Sequence, residues 1–259
     1  MTTPSMAEEP PSAYQLLRQG FQHWRTHQRA FWLLAAIGTI AIIVLKMVVL
    51  SGSSVVVAGM YIFLFDQWLK LAMFPDWKQR ELALRQSKEG RGLAYPRPSS
   101  WGFGFAYAFV VFATGMLLIA VMAPEIFRGR METSTVLLSA VSVALAMCLA
   151  TLVLAPSLLF LPARIAGLKW NLGDAFREAS GMRGSLLALA MLSTLIALVG
   201  PLLISLNALL QLPQFLVVAL ALQALATLLD LFALYLVAYG TARLFIATTR
   251  WQPALLPEA

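Results

Sequence analysis

Apolar residues in this chain fall in six long, nearly uninterrupted blocks at about 30–50, 54–74, 101–123, 134–161, 185–206 and 213–245. A helix crossing ~30 Å of hydrocarbon needs about 20 predominantly apolar residues, and each block reaches that length. The blocks are apolar at every register rather than alternating with a period of two, which favours helices over barrel strands. A helix also satisfies its own backbone groups where no water is present. The pattern therefore predicts an all-α integral membrane protein: six transmembrane helices arranged as three hairpins in a single bundle over 13–259. The first block starts too far into the chain, and is too long, for a cleavable signal peptide.

Polar and amphipathic segments precede the hairpins. In AYQLLRQGFQHWRTHQRAFW, Leu16, Leu17 and Phe21 share a candidate apolar stripe. In WNLGDAFREASGMRG, the stripe is Leu172, Phe176 and Ala179, with Asn171 placed as N-cap and Asp174 in the first turn. Both segments read as short interfacial helices beside anionic headgroups. Gly181 and Gly184 are expected to end the second one. A third segment, FPDWKQRELALRQSKEGRGLAYPRPSSW, has a short helical part followed by a Gly/Pro-rich stretch. The small, acidic, proline-rich residues 1–12 read as a disordered tail.

Charge placement gives the sidedness. Most of the 19 Lys and Arg residues fall on one side. They are Arg18, Arg25 and Arg29 in the amino-terminal segment, then Lys78, Arg80, Arg85, Lys88, Arg91 and Arg97 after the second block. Arg164, Lys169, Arg177 and Arg183 follow the fourth, and Arg243 and Arg250 close the sixth. The other side has Arg128 and Arg130, and Lys46 and Lys70 lie in the blocks. The positive-inside rule places both termini in the cytoplasm, with the basic face against anionic lipid. All seven Trp residues, Trp68 among them, lie near that inner boundary, where an indole N–H stays wet.

The composition agrees: 60% of residues are hydrophobic and 12% charged, with a mean hydropathy of +0.78, which excludes an ordinary soluble domain. The net charge of +7 is a property of one membrane face, since no folded nucleic-acid module accompanies it. One cysteine, Cys148, excludes a disulfide framework.

The stretch PSLLFLPARIAGLKWNLGDAFREASGMRGSLLAL resembles bacterial six-helix membrane proteins related to the membrane domain of glycerophosphoryl diester phosphodiesterases. The matching positions are Pro156 and Pro162, then Ala175, Phe176, Ala179 and Ser180, then Gly184. The chain departs from that pattern after the first loop proline, where Ala163-Arg164-Ile165 stands in place of an early charge. The resemblance implies architecture rather than activity, because the phosphodiesterase chemistry of such proteins resides in a separate soluble domain.

Candidate chemistry is sparse. No phosphate-binding loop, nucleophile elbow or metal-ligand motif occurs, and no cofactor is expected. His23 and His27 are spaced i, i+4, but Arg25 and Arg29 beside them repel a cation. Ser139, Ser142, Ala146 and Ala150 form a stripe of small residues suited to helix packing or to a partner helix. Gly200-Pro201 is expected to kink or end the fifth span. Three charges are deep: Lys46 lies roughly 22 Å above Phe31, Asp230 roughly 20 Å above Arg243, and Asp66 lies within reach of the same depth. Lys46 is expected to pair with Asp230 or, second, with Asp66, or else to snorkel outward; Lys70 is expected to snorkel from beside Asp66. The leading functional expectation is a non-enzymatic structural, assembly or regulatory membrane protein, a subunit of a larger membrane complex with a protein partner or a second copy bound through its helices. The alternative is a small ion-coupled carrier using Asp66, Asp230 and Lys46.

Overall fold

A computed structural model describes residues 11–48, 53–74, 98–122, 124, 133–209 and 216–252. The described residues are helical, with no strand among them, and six helices are long and apolar enough to cross a membrane. In chain order they form α1 Ala13–Thr26, α2 Gln28–Val48, α3 Ser53–Met73, α4 Pro98–Met122 and α5 Thr133–Leu154. These are followed by α6 Phe160–Ile165, α7 Leu172–Glu178, α8 Arg183–Leu209 and α9 Leu216–Thr249.

Helix α1 starts one residue after the expected tail boundary. Ser12 caps it in a reciprocal box: the Gln15 amide donates to Ser12 Oγ at 3.3 Å, and the Ser12 amide donates to Gln15 Oε1 at 2.9 Å. Ser12 therefore belongs to the fold rather than to the tail, whose first ten residues lie outside the described set. Only His27 separates α1 from α2.

Ring and side-chain contacts fix the directions of the central helices. Phe31 of α2 meets Trp68 of α3, and Gly38 meets Leu64, so α2 and α3 run antiparallel. Tyr61 meets Asp230 and Trp68 meets Tyr235, so α3 and α9 run parallel. This is what two helices both descending from the same side must do. Helix α9 packs on α8, α3, α2 and α1 and is the axis of the bundle. Gly240 allows its closest approach, since a Cβ there would overlap the Leu189 side chain of α8.

The fourth block is not one helix, as the apolar pattern alone suggests. Helix α5 ends at Leu154, a 3₁₀ turn occupies Ala155–Leu159, and α6 follows. Pro156 supplies no amide to the turn above, and the Ser157 hydroxyl instead donates to the Leu154 carbonyl at 2.6 Å. All five residues of the turn are buried. Helix α6 closes in a Schellman motif, with Leu168 N–H bonding the Ala163 carbonyl at 2.9 Å and Gly167 N–H bonding that of Arg164 at 3.2 Å. Gly167 carries the φ of +83° that this closure demands.

Helix α7 has the expected Asn171 cap, completed into a reciprocal box by Asp174. Its protein-facing row is Ala175, Ala179 and Met182, whereas Leu172 is exposed and Phe176 half-buried. The glycines after it do not break the chain. Gly181 sits in a 3₁₀ turn, Ala179–Met182, and Gly184 lies inside the first turn of α8. Helix α8 also continues past Gly200-Pro201 to Leu209, so the proline neither ends it nor halts its hydrogen bonding for more than the turn it interrupts.

On α5, Ser142, Ala146 and Ala150 are buried within the chain, which assigns these three to packing inside the bundle; the Ser139 side chain lies outside the described residues. Large apolar residues face outward along the remaining perimeter. Phe109, Phe112, Leu117 and Val121 on α4 are examples, and Leu33, Ile37 and Ile40 on α2 are others. An apolar exterior of this kind suits hydrocarbon rather than water.

Candidate functional site: an aromatic nest and a buried ion pair

Helix α1 docks on α9 and α8 and touches α2, and at the α2 contact it meets a cluster of aromatic rings. Phe31 is the hub. Its ring stacks on Trp68 at 5.7 Å and meets Trp24, Phe232 and Tyr235 edge-on at 6.2, 5.8 and 5.2 Å. Such offset and edge contacts are the favourable arrangements for aromatic quadrupoles.

Helix α1 brings His23 into this nest. Its Nδ1 lies 2.7 Å from the Tyr235 hydroxyl. Its ring stacks on that of His27 at 4.2 Å and lies 4.7 Å from that of Tyr239. Burial, first, and then the charges of His27 and Arg243 hold His23 down to about 4, so the imidazole is neutral at pH 7. The neutral Nδ1 either accepts from the Tyr235 hydroxyl or donates to it, according to the tautomer, and Nε2 has no partner among the described residues. The two histidines stack face to face, not converging on a common point, and no group of three potential metal ligands occurs among the described residues.

Asp66 and Lys70 form an ion pair one turn apart on α3, with side chains only 3% and 2% exposed. Lys70 thus does not snorkel to the surface; its ammonium lies on Asp66 inside the bundle. Trp68, between them in sequence, is fully buried, and its indole N–H has no hydrogen-bond partner among the described residues. The structure takes this tryptophan out of the wet inner boundary and makes it core.

Asp230 stands apart from that pair. It accepts from the Tyr61 hydroxyl at 3.3 Å, and Tyr61 precedes Asp66 by five residues, about 7 Å of axial rise. Gly38 of α2 abuts Leu231, so the backbone of Lys46 lies roughly two turns beyond the level of Asp230. The Lys46 side chain lies outside the described residues, and with it the expected Lys46–Asp230 pairing. The second expected partner, Asp66, is occupied by Lys70 from its own helix.

The basic face divides in the same way. Lys78, Arg80, Arg85, Lys88, Arg91 and Arg97 lie outside the described residues. Lys169, Arg177 and Arg183 are exposed around α7, and Arg164 lies over the Phe160 ring at 5.4 Å. Arg177 also bonds Asp174 at 2.9 Å.

Sequence reasoning missed His23, Tyr235 and Tyr239 as a group. The signal was present in the spacing: Leu16, Gly20, His23 and His27 follow one another at four, three and four residues, as one helical face does.

Fold and site together define a helical bundle with the make-up of a multi-pass membrane protein, having a buried ion pair and an aromatic nest at the end where α1 docks. No known family, curated protein or solved structure matches the chain.

Proposed function

We propose that this is a non-enzymatic structural, assembly or regulatory protein of a bacterial inner membrane, crossing it six times with both termini in the cytoplasm. One observation supports this reading above the others: Asp66 and Lys70 form an ion pair within a single helix, both almost wholly withdrawn from solvent. A carrier needs ionisable groups that water reaches in turn from the two sides. A closed intrahelical pair serves packing instead. The exposed Lys169, Arg177 and Arg183, beside the outward Leu172, support contact of α7 with anionic headgroups. The resemblance to the phosphodiesterase membrane domains is compatible with such a role.

The test is purification of the full chain in mild detergent, followed by identification of what accompanies it. A stoichiometric protein partner is expected. A bound solute, together with ion flux into vesicles holding the purified protein, would instead assign Asp230 and its Tyr61 partner to transport.

Sidedness has its own test. In a Cys148→Ala background, single cysteines at Ser53, Thr133 or Gln211 should react with a membrane-impermeant thiol reagent added to intact cells. Cysteines at Ser87 or Ser180 should stay protected. Reaction at Ser87 would reverse the assignment.

A further inference from the structure

Helix α1 docks on α9 and α8, and its Trp24 meets Phe31 and Trp32 of α2 and Phe232 of α9 edge-on at 6.2, 6.4 and 5.8 Å. Leu16 is buried, and Gly20 lets α1 close on Leu236 and Tyr239, where a Cβ would already stand 3.2 and 3.4 Å away. Phe21 meets Phe232 edge-on at 5.4 Å. The one side-chain hydrogen bond described between α1 and α9 is that between His23 and Tyr235. The joint to α2 is a single residue, His27, with φ −111° and ψ 29°, outside helical geometry. A stiff amphipathic rod on a one-residue joint leaves its groove by giving up the Trp24 contacts with Phe31 and Trp32 along with those to α9.

A protonated Nδ1 would have to turn the Tyr235 bond round and donate to the hydroxyl oxygen, and Nε2, buried without a partner among the described residues, would gain no acceptor for its share of the charge. No carboxylate from the packed elements is positioned to welcome the charge. Helix α1 itself adds Arg18 and Arg25, and His27 lies stacked on the ring. Helix α8 carries Arg183 as its one charged residue, and α2 carries Arg29 and Lys46. Helix α9 presents Tyr235, Tyr239 and Arg243, while its Asp230 is engaged by Tyr61.

We propose that α1 is an acid-released latch, docked while the His23 imidazole is neutral and swung out about His27 when that ring takes a proton, uncovering the Phe232–Leu236–Tyr239 face of α9. The docked ring holds its proton less tightly than a free histidine does: its pKa is about 4, against 6.5 for the undocked group. Docking is therefore at full strength above pH 6.5 and weakens about tenfold per unit down to about 4. From pH about 7.5 to about 5, the undocked-to-docked ratio should rise about thirtyfold.

The experiment measures the distance between spin labels on the full chain in lipid nanodiscs. In a Cys148→Ala background, the labels sit on Gln22→Cys in α1 and Ala247→Cys in α9, both exposed positions. One short distance is expected at neutral pH, with a long, broad component growing reversibly toward pH about 5 by the factor above. His23→Gln, which keeps an acceptor for Tyr235 and cannot ionise, should abolish the growth. His27→Gln should retain it. No long component in acid would overturn the latch, and so would an undiminished acid response in His23→Gln, which would assign the opening to another group. A partner or solute found on the purified protein leaves this test unaffected.

Discussion

Lys70→Met should cost the protein about 3–5 kcal/mol, the penalty of leaving a buried charge without its partner. Asp66 is almost wholly withdrawn from solvent. With the ammonium gone, the carboxylate must take up a proton or drag water into the nest, and either course destabilises the docked arrangement of α3 against α9. Asp66→Asn should be costly for the mirror-image reason, since Lys70 then holds an unmatched charge. The double variant Asp66→Asn, Lys70→Met is the informative one. Removing both members of a buried pair while preserving volume is often neutral, so most of the single-variant loss should return. Unfolding by denaturant in detergent, compared across the three variants, measures this. A double variant as unstable as the singles would mean that the pair is worth more than its mutual neutralisation.

The long spans were legible because a twenty-residue apolar run has few other uses, and the Asn171 cap because capping is a matter of three adjacent residues. Features that depend on contacts between distant segments were not. His23 and Tyr235 are 212 positions apart, and nothing in the local spacing of a histidine says that a tyrosine hydroxyl will face it. The chosen stripe on α1, Leu16, Leu17 and Phe21, was selected by hydrophobicity. The face that docks runs instead through Gly20 and His23, because a close helix approach rewards smallness and a hydrogen bond over apolar bulk. Trp68 was misplaced for a related reason. Its position near the end of a span looks interfacial until α2 and α9 are packed on it. The break at Ala155–Leu159 was hidden by composition, since its residues are as apolar as those of the helices it joins. Pairing of the deep charges was expected across helices by depth, whereas the pair described lies within α3, where an i, i+4 spacing brings Lys70 to Asp66 at the smallest conformational cost.

Trp68→Ala should destabilise the bundle by about 3 kcal/mol, and Trp68→Phe by less than about 1 kcal/mol. In a membrane, moving an apolar side chain out of the core and into lipid changes its solvation little, so packing carries the effect. Truncation to alanine empties roughly 140 Å³, and at about 24 cal/mol per Å³ of unrelaxed cavity the loss approaches 3 kcal/mol. The space cannot close easily, because Phe31 and Tyr235, which border it, are themselves held by Trp24, Phe232 and His23. Phenylalanine refills most of the volume and keeps a ring against Phe31. It also removes an indole N–H that is buried without a partner among the described residues, and such a donor is itself a cost of about 1–3 kcal/mol. The two contributions oppose each other, which is why the expected net loss is small. Thermal unfolding in detergent, followed by near-ultraviolet dichroism of the aromatic nest, separates the variants. Should Trp68→Phe prove as damaging as Trp68→Ala, the indole must be donating to a buried acceptor, and the nest would have to be redrawn around a polar centre.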